Sequence, residues 1–245
     1  MTPISSHNVV FDVVGTLVGY ERFFQAIDDR MGDRLRAEGI KPSLLGQLWI
    51  EMSEREYTYL SLGGRYLCFG ALVQAMFFRS LFKAGVAEPR AFASSEDLEF
   101  IIKTGYDKLQ LRPGAKKCIA KLRQAGFTVW ALTAADVKGC AAYFEDAGME
   151  WPAENLLSCD SSDIGKPDPE AYKSLLKKLT EGGQKKPFFA AAHSWDTSAA
   201  QTAGFRGAYC SVFEHEALED IFGRFDVVAK TLPEMADAIV AMSRQ

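Results

Sequence analysis

The sequence predicts an α/β protein in which a parallel sheet core carries an inserted helical cap. A short apolar run, Val9 to Phe11, delivers Asp12 to a turn around Gly15 and Thr16, the pattern of a buried strand and its exit. From Pro113 onward, short apolar runs alternate with helical stretches. That alternation implies right-handed crossovers and a mainly parallel sheet covered on both faces.

Between these two regions the periodicity is helical. Phe23, Ile27, Met31 and Leu35 recur at fourfold spacing and lay one apolar stripe on a helix. Leu45, Leu48, Trp49 and Met52 repeat the pattern until Glu56 interrupts it. Gly63 and Gly64 then punctuate the chain before a third apolar helix, Tyr66 to Leu81, and a fourth, weaker one follows near residues 96–104. The expected division is a core of residues 1–18 and 107–245 and a helical cap of residues 19–106. In the core, helices are expected at 114–125, 136–147, 169–179, 196–203 and 232–242, with strands at 127–133, 156–158, 187–192, 207–213 and 225–229. The result is a Rossmann-like sheet.

Composition bounds the function. The 245 residues suffice for one such domain with a large insertion, and 48% hydrophobic with 24% charged residues is ordinary for a globular chain. Seventeen Phe and four Trp fit either an apolar pocket or a Phe-rich core. A net charge of -4 opposes a general nucleic-acid binder, which needs clustered Lys and Arg. No run is long enough to span a bilayer, and residues 1–8 lack the basic and apolar regions of a secretion signal. Five scattered cysteines without a CxxC pair read as reduced thiols of a cytoplasmic protein.

In open α/β sheets ligands bind beyond the carboxyl ends of the strands. That rule selects Asp12, Thr133, Lys166 in its loop, and the turn from His193 to Asp196. An acid at a strand exit can be held ionised by backbone donors and aimed at a ligand, or it can cap the turn. Thr16 can cap the next turn or bind a ligand oxygen. Lys166 stands in Gly165-Lys166-Pro167-Asp168-Pro169, where two prolines stiffen the loop before a helix. A lysine there can relieve the repulsion of several negative groups, or lie solvated at the surface. Asp168 reads first as a helix N-cap, and Asp196 alone reads the same way. His193 could be a base, a donor or a core residue. A metal set of Asp12, Asp196 and His193 is poorly suited to a hard cation, so no metal is expected. GxSxG, HExxH, Walker A and GxGxxG are all absent.

Together these residues carry a family likeness. Phe11-Asp12-Val13-Val14-Gly15-Thr16-Leu17, the strand ending at Thr133, Gly165-Lys166-Pro167-Asp168 and the Asp196 turn resemble the four motifs of the haloacid dehalogenase superfamily, in order. Leu48-Trp49 with Glu56-Tyr57-Thr58, and Trp195-Asp196 with Ala203-Gly204-Phe205, resemble its 2-haloacid dehalogenase branch. The resemblance implies a cofactor-independent hydrolase. Asp12 would attack a substrate carbon and form an ester that water hydrolyses. Lys166 would hold Asp12 ionised, Asp196 would orient Lys166 or the water, and Thr16 would support the carboxylate. Val14, Thr133, Ala134, Tyr172 and His193 fall at substrate-site positions, and the resemblance also suggests a homodimer.

Val14 is informative. Phosphatases of the superfamily carry there an aspartate that protonates the leaving group, and losing such an acid costs roughly 10²–10⁴-fold. Halide needs no proton to depart. Other positions depart from the branch: residues 40–46 contain no arginine for a substrate carboxylate, although Lys41 is near, and Arg65 is another cap cation. Ala134, Ala191 and His193 replace polar family residues. These changes point to a small-molecule substrate larger or less charged than a short haloacid. Two alternatives stand beside this reading, a Mg²⁺-dependent phosphatase and a non-catalytic protein that binds a small molecule.

Overall fold

The structure, a computed structural model, describes residues 7–181 and 183–244. It divides into two compact units, Met1–Val18 with Leu111–Gln245, and Gly19–Gln110. Strand β1 (Asn8–Phe11) is buried along its whole length. The turn after it closes tightly, since Leu17 and Val18 both donate their N–H to Val13 O, at 2.8 and 2.9 Å. Gly15 sits in this turn at φ +92°, a conformation that side chains resist. A Cβ there would fall 2.2 Å from Cε1 of His193. Gly15→Ala is therefore expected to destabilise the fold by about 1–3 kcal/mol, which urea unfolding would read directly. The chain leaves through β2 (Val18–Gly19).

The inserted unit contains α1 (Glu21–Ala37), α2 (Pro42–Leu62), α3 (Phe69–Ala75), α4 (Phe77–Lys83), α5 (Pro89–Phe92) and α6 (Ser95–Thr104). The α1 stripe of Phe23, Ile27, Met31 and Leu35 is buried. Helix α2 runs on past Glu56 because that residue turns outward to Arg55, 3.1 Å away, while buried Tyr57 keeps the inner face apolar. The single helix expected from Tyr66 to Leu81 is instead two short ones meeting at Met76, and Tyr66 precedes both. The Trp49 indole donates to Val73 O at 2.7 Å, taking the carbonyl that a continuous helix would offer to Phe77 N. The ring of Trp49 packs between Phe23 and Phe77, with centroids 5.0 and 5.1 Å away. Here the aromatic content goes into packing. A reciprocal Ser94–Asp97 cap starts α6, and Arg30 ties Asp97 back to α1 at 2.6 Å.

The chain returns through β3 (Gln110–Leu111), which pairs with β2. The rest alternates as α7 (Ala115–Gln124), β4 (Thr128–Thr133), α8 (Val137–Asp146), β5 (Leu156–Ser158), α9 (Pro169–Thr180), β6 (Phe188–Ala191), α10 (Ser194–Ala203), β7 (Arg206–Cys210), α11 (Glu219–Phe222), β8 (Val227–Ala229) and α12 (Leu232–Ser243). Strands order as β5-β4-β1-β6-β7-β8, all parallel. The strand expected at 207–213 ends at Cys210, and Phe213 and Glu214 lie beyond it. On one face, Val10, Trp130, Leu132, Phe189 and Ala191 pack against Tyr172, Leu175 and Leu179 of α9. Strand β1 lies centrally, where the chain order reverses from β4 and β5 on one side to β6 and β7 on the other. This is the switch point at which α/β sheets leave a crevice beyond their carboxyl ends. Among the described residues, no helix is long and apolar enough to cross a membrane.

Candidate active site

Asp12 is the first residue past β1, at that switch point, and its backbone N–H still donates to Ala190 O on β6 at 3.0 Å. The side chain is held from both sides. Thr16 donates its hydroxyl to Oδ2 at 2.7 Å, and the same hydroxyl accepts from Ala192 N at 2.8 Å. Thr16 has one proton, so the second contact fixes where the first points. On the other oxygen, Lys166 Nζ donates to Oδ1 at 3.0 Å.

Lys166 is 1% exposed, so it is no surface lysine. Its loop ends where Asp168 caps α9 by accepting from Glu170 N at 2.9 Å, with Pro169 opening the helix. The ammonium also reaches Asp196 Oδ2 at 2.8 Å, bridging two buried carboxylates. It lies 5.0 Å from the centroid of the Phe189 ring. Asp196 completes its bonding through Tyr172, whose hydroxyl donates to Oδ1 at 2.5 Å. Asp196 is therefore not the N-cap of α10. The helix begins at Ser194, with His193 in the cap position, and Asp196 points inward from the first turn. Glu214 provides the capping acceptor from another loop, taking Ser194 N at 2.8 Å and Ser194 Oγ at 2.7 Å.

These contacts decide the charge states. Burial pushes the Asp12 carboxyl up, but the Lys166 ammonium, His193 and the Thr16 hydroxyl outweigh it and hold the group well below the usual carboxylate range. Burial likewise disfavours charged Lys166, yet Asp12 and Asp196 overcome it and raise the ammonium above its ordinary value. Asp196 is pushed upward by burial, with Asp12 adding to the push against the pull of Lys166. At neutral pH the site holds an anionic carboxylate whose oxygens are already bonded. Such a group is equipped for nucleophilic attack, and its neighbours can take up negative charge developing on it.

His193 Nδ1 lies 3.5 Å from Asp12 Oδ2, so Asp12, Thr16, Lys166, Tyr172, His193 and Asp196 form one cluster. Thr133 ends the neighbouring strand β4 and Ala134 follows it. The Thr133 hydroxyl there accepts from Ala135 N at 3.1 Å and from Cys140 Sγ at 3.7 Å. Val14 is half-buried in the turn and bridges to Val18. Three residues that the sequence reading passed over support the cluster. Buried Arg112 donates from Nε to Gly15 O at 3.1 Å, Phe213 packs on His193 with centroids 5.1 Å apart, and Glu214 fixes the start of α10. The signal for them was positional, because each follows a strand end, but no local motif marks it.

Within the inserted unit, Lys41 lines a cavity of about 640 Å³ together with Glu21, Asp28 and Arg36. Arg36 is engaged there by Asp28 at 2.6 Å. Arg65 is exposed.

Residues 7–191 match a family model described as haloacid dehalogenase-like hydrolase. The chain belongs to the haloacid dehalogenase-like hydrolases. Its relatives include (S)-2-haloacid dehalogenase 2 of Pseudomonas sp. (strain CBS-3), 25% identical over 233 residues and 94% of each chain. The (S)-2-haloacid dehalogenase of Pseudomonas putida is 22% identical over 95% of this hydrolase and 96% of its own length. Among solved structures, the L-2-haloacid dehalogenase of Xanthobacter autotrophicus shares the fold, with TM-score 0.75 at 20% identity, covering 98% of this hydrolase and 100% of that chain. The likeness of this hydrolase thus runs to the 2-haloacid dehalogenase branch.

Proposed function

We propose that the protein is a cofactor-independent hydrolase of 2-haloacid dehalogenase type, with Asp12 as its nucleophile. The carboxylate displaces a leaving group from a substrate carbon, the carbon becomes esterified to Asp12, and water then hydrolyses the ester. The observation that carries this reading is the Asp12 carboxylate bonded by Lys166 Nζ at 3.0 Å and the Thr16 hydroxyl at 2.7 Å, beside Val14, which can give no proton. A leaving group that departs as a stable anion suits such a site. The Xanthobacter autotrophicus structure with chloropropionic acid covalently bound supports covalent chemistry in this branch.

By the resemblance, Ala134, Ala191 and His193 fall where the branch has polar groups for a small anion. The substrate we propose is a small organic molecule, larger or less charged than a short 2-haloacid. Magnesium-dependent phosphoryl transfer fits the residues poorly. A cation would have to bridge Asp12 and Asp196, whose facing oxygens Lys166 Nζ already joins at 3.0 and 2.8 Å.

One turnover in ¹⁸O-water tests the nucleophile. With enzyme in excess over a reactive 2-bromo acid, amide or ester, the Asp12 peptide is expected to gain ¹⁸O, because water attacks the aspartyl carbonyl. Turnover with label only in the product alcohol would remove Asp12 from the covalent route.

A further inference from the structure

We infer that His193 is the base that activates water for hydrolysis of the Asp12 ester, which deepens the covalent reading above and rests on it. The ring stands against the nucleophile, with Nδ1 3.5 Å from Oδ2. Lys166 and Thr16 approach the same carboxylate as donors. Of the groups contacting Asp12, the imidazole is suited to alternate between taking and giving a proton near neutral pH.

The placement is built from all sides. Gly15 has no Cβ, and Cε1 of the ring lies only 2.2 Å from where one would stand, so any larger residue would push the ring away. Trp195 and Phe213 pack on it with centroids 5.4 and 5.1 Å away. Its carbonyl accepts from Thr197 N at 3.1 Å and Thr197 Oγ1 at 3.0 Å, while Glu214 anchors the next residue, Ser194. The charged groups around the ring are Asp12 itself, Lys166 on the far oxygen of Asp12, Asp196 beyond that lysine, Glu214 on Ser194, and Arg112. Arg112 lies against Phe213, 5.3 Å from its centroid.

The steps balance. In the first, an Asp12 oxygen forms a bond to the substrate carbon as the carbon–halogen bond breaks and halide leaves with the electron pair. In the second, water oxygen bonds to Cγ of Asp12 while His193 takes the water proton. The intermediate then collapses by breaking the bond from Cγ to the alkyl oxygen. The departing alkoxide takes the proton from His193 and leaves as the alcohol, and Asp12 releases a proton to solvent. The geometry times the base as well. A carboxylate beside an imidazole favours the protonated ring; esterification removes that negative charge, and the ring gives its proton to solvent before it takes one from water and regains one when Asp12 is again a carboxylate.

Asparagine retains a hydrogen-bond donor at this position but cannot accept a proton, so His193→Asn separates a base from a mere donor; His193→Gln repeats the test with longer reach. The probe is a panel of 2-bromoalkanoates with their amides and methyl esters, used in rapid quench with peptide mass analysis. Both variants are expected to release about one halide per enzyme, accumulate the alkyl ester on Asp12, and lose about 10²–10⁴-fold in steady-state kcat. The acid limb of the wild-type kcat–pH profile should disappear with them. The halide burst shows that the variant is folded.

Wild-type kcat in His193→Asn, or failure to accumulate ester in both variants, would overturn the base. Wild-type turnover without ¹⁸O in Asp12 would instead overturn the covalent reading, and the base with it. Absence of wild-type turnover across the panel would count against both.

Discussion

An Asp12→Asn protein is expected to fold and to lose turnover by roughly 10⁴-fold or more, the scale on which removal of a nucleophile is felt. An amide is neutral and a poor nucleophile, so no ester should form. Folding should survive because Lys166 keeps Asp196 at 2.8 Å and Thr16 can still bond the side-chain oxygen. The stability cost should stay near that of one weakened charged hydrogen bond, about 1–3 kcal/mol. Stopped-flow halide release and a urea melt check the two halves separately. A residual kcat within tenfold of wild type would remove Asp12 from the chemistry.

Lys166→Met is expected to damage both stability and rate. Two buried carboxylates would face one another without the cation that joins them, and breaking such a pair costs about 3–5 kcal/mol. The rate should fall roughly 10²–10³-fold, the usual price of losing one electrostatic donor at a site of developing charge.

The pH dependence gives a sharper check. Asp12 is depressed in the folded protein, so its contribution is fully present above the ordinary carboxylate value of 3.8 and fades as pH falls through the folded value. Lys166 is raised, so its contribution is present below its ordinary 10.5 and fades as pH climbs through the folded value. The stability gap between wild type and Lys166→Met should therefore be widest from about pH 4 to about pH 10 and narrow on both sides. A gap independent of pH across pH 2 to 12 would mean that the loss comes from packing alone.

How much of this was legible from residues depended on the range of the interaction. The apolar run before Asp12 and the helical stripe at Phe23, Ile27, Met31 and Leu35 are local patterns, and the structure follows them. The split of the Tyr66–Leu81 stretch was not legible, because it depends on the Trp49 indole arriving from 24 positions earlier to take Val73 O. Asp196 read two ways for a related reason, as a local cap by itself and as a partner of Lys166 through the resemblance. A short acid near a helix start satisfies the local capping rule, but here Glu214 takes that task and frees Asp196 to turn inward to Lys166 and Tyr172. Arg112 and Phe213 carry no motif, since what matters in them is which strand end they follow. The identities of Asp12 and Lys166 stand in the sequence, but the 3.0 Å between them belongs to the fold.

That separation has a consequence for how the protein comes into being. Lys166 follows Asp12 by 154 positions and Ala192, which orders the Thr16 hydroxyl, follows Thr16 by 176. A ribosome releasing the chain from its N-terminus exposes the acid early and the amine that bonds it late. The nascent polypeptide thus carries its reactive oxygen without these partners, and any product truncated before Lys166 would lack the amine that bonds it.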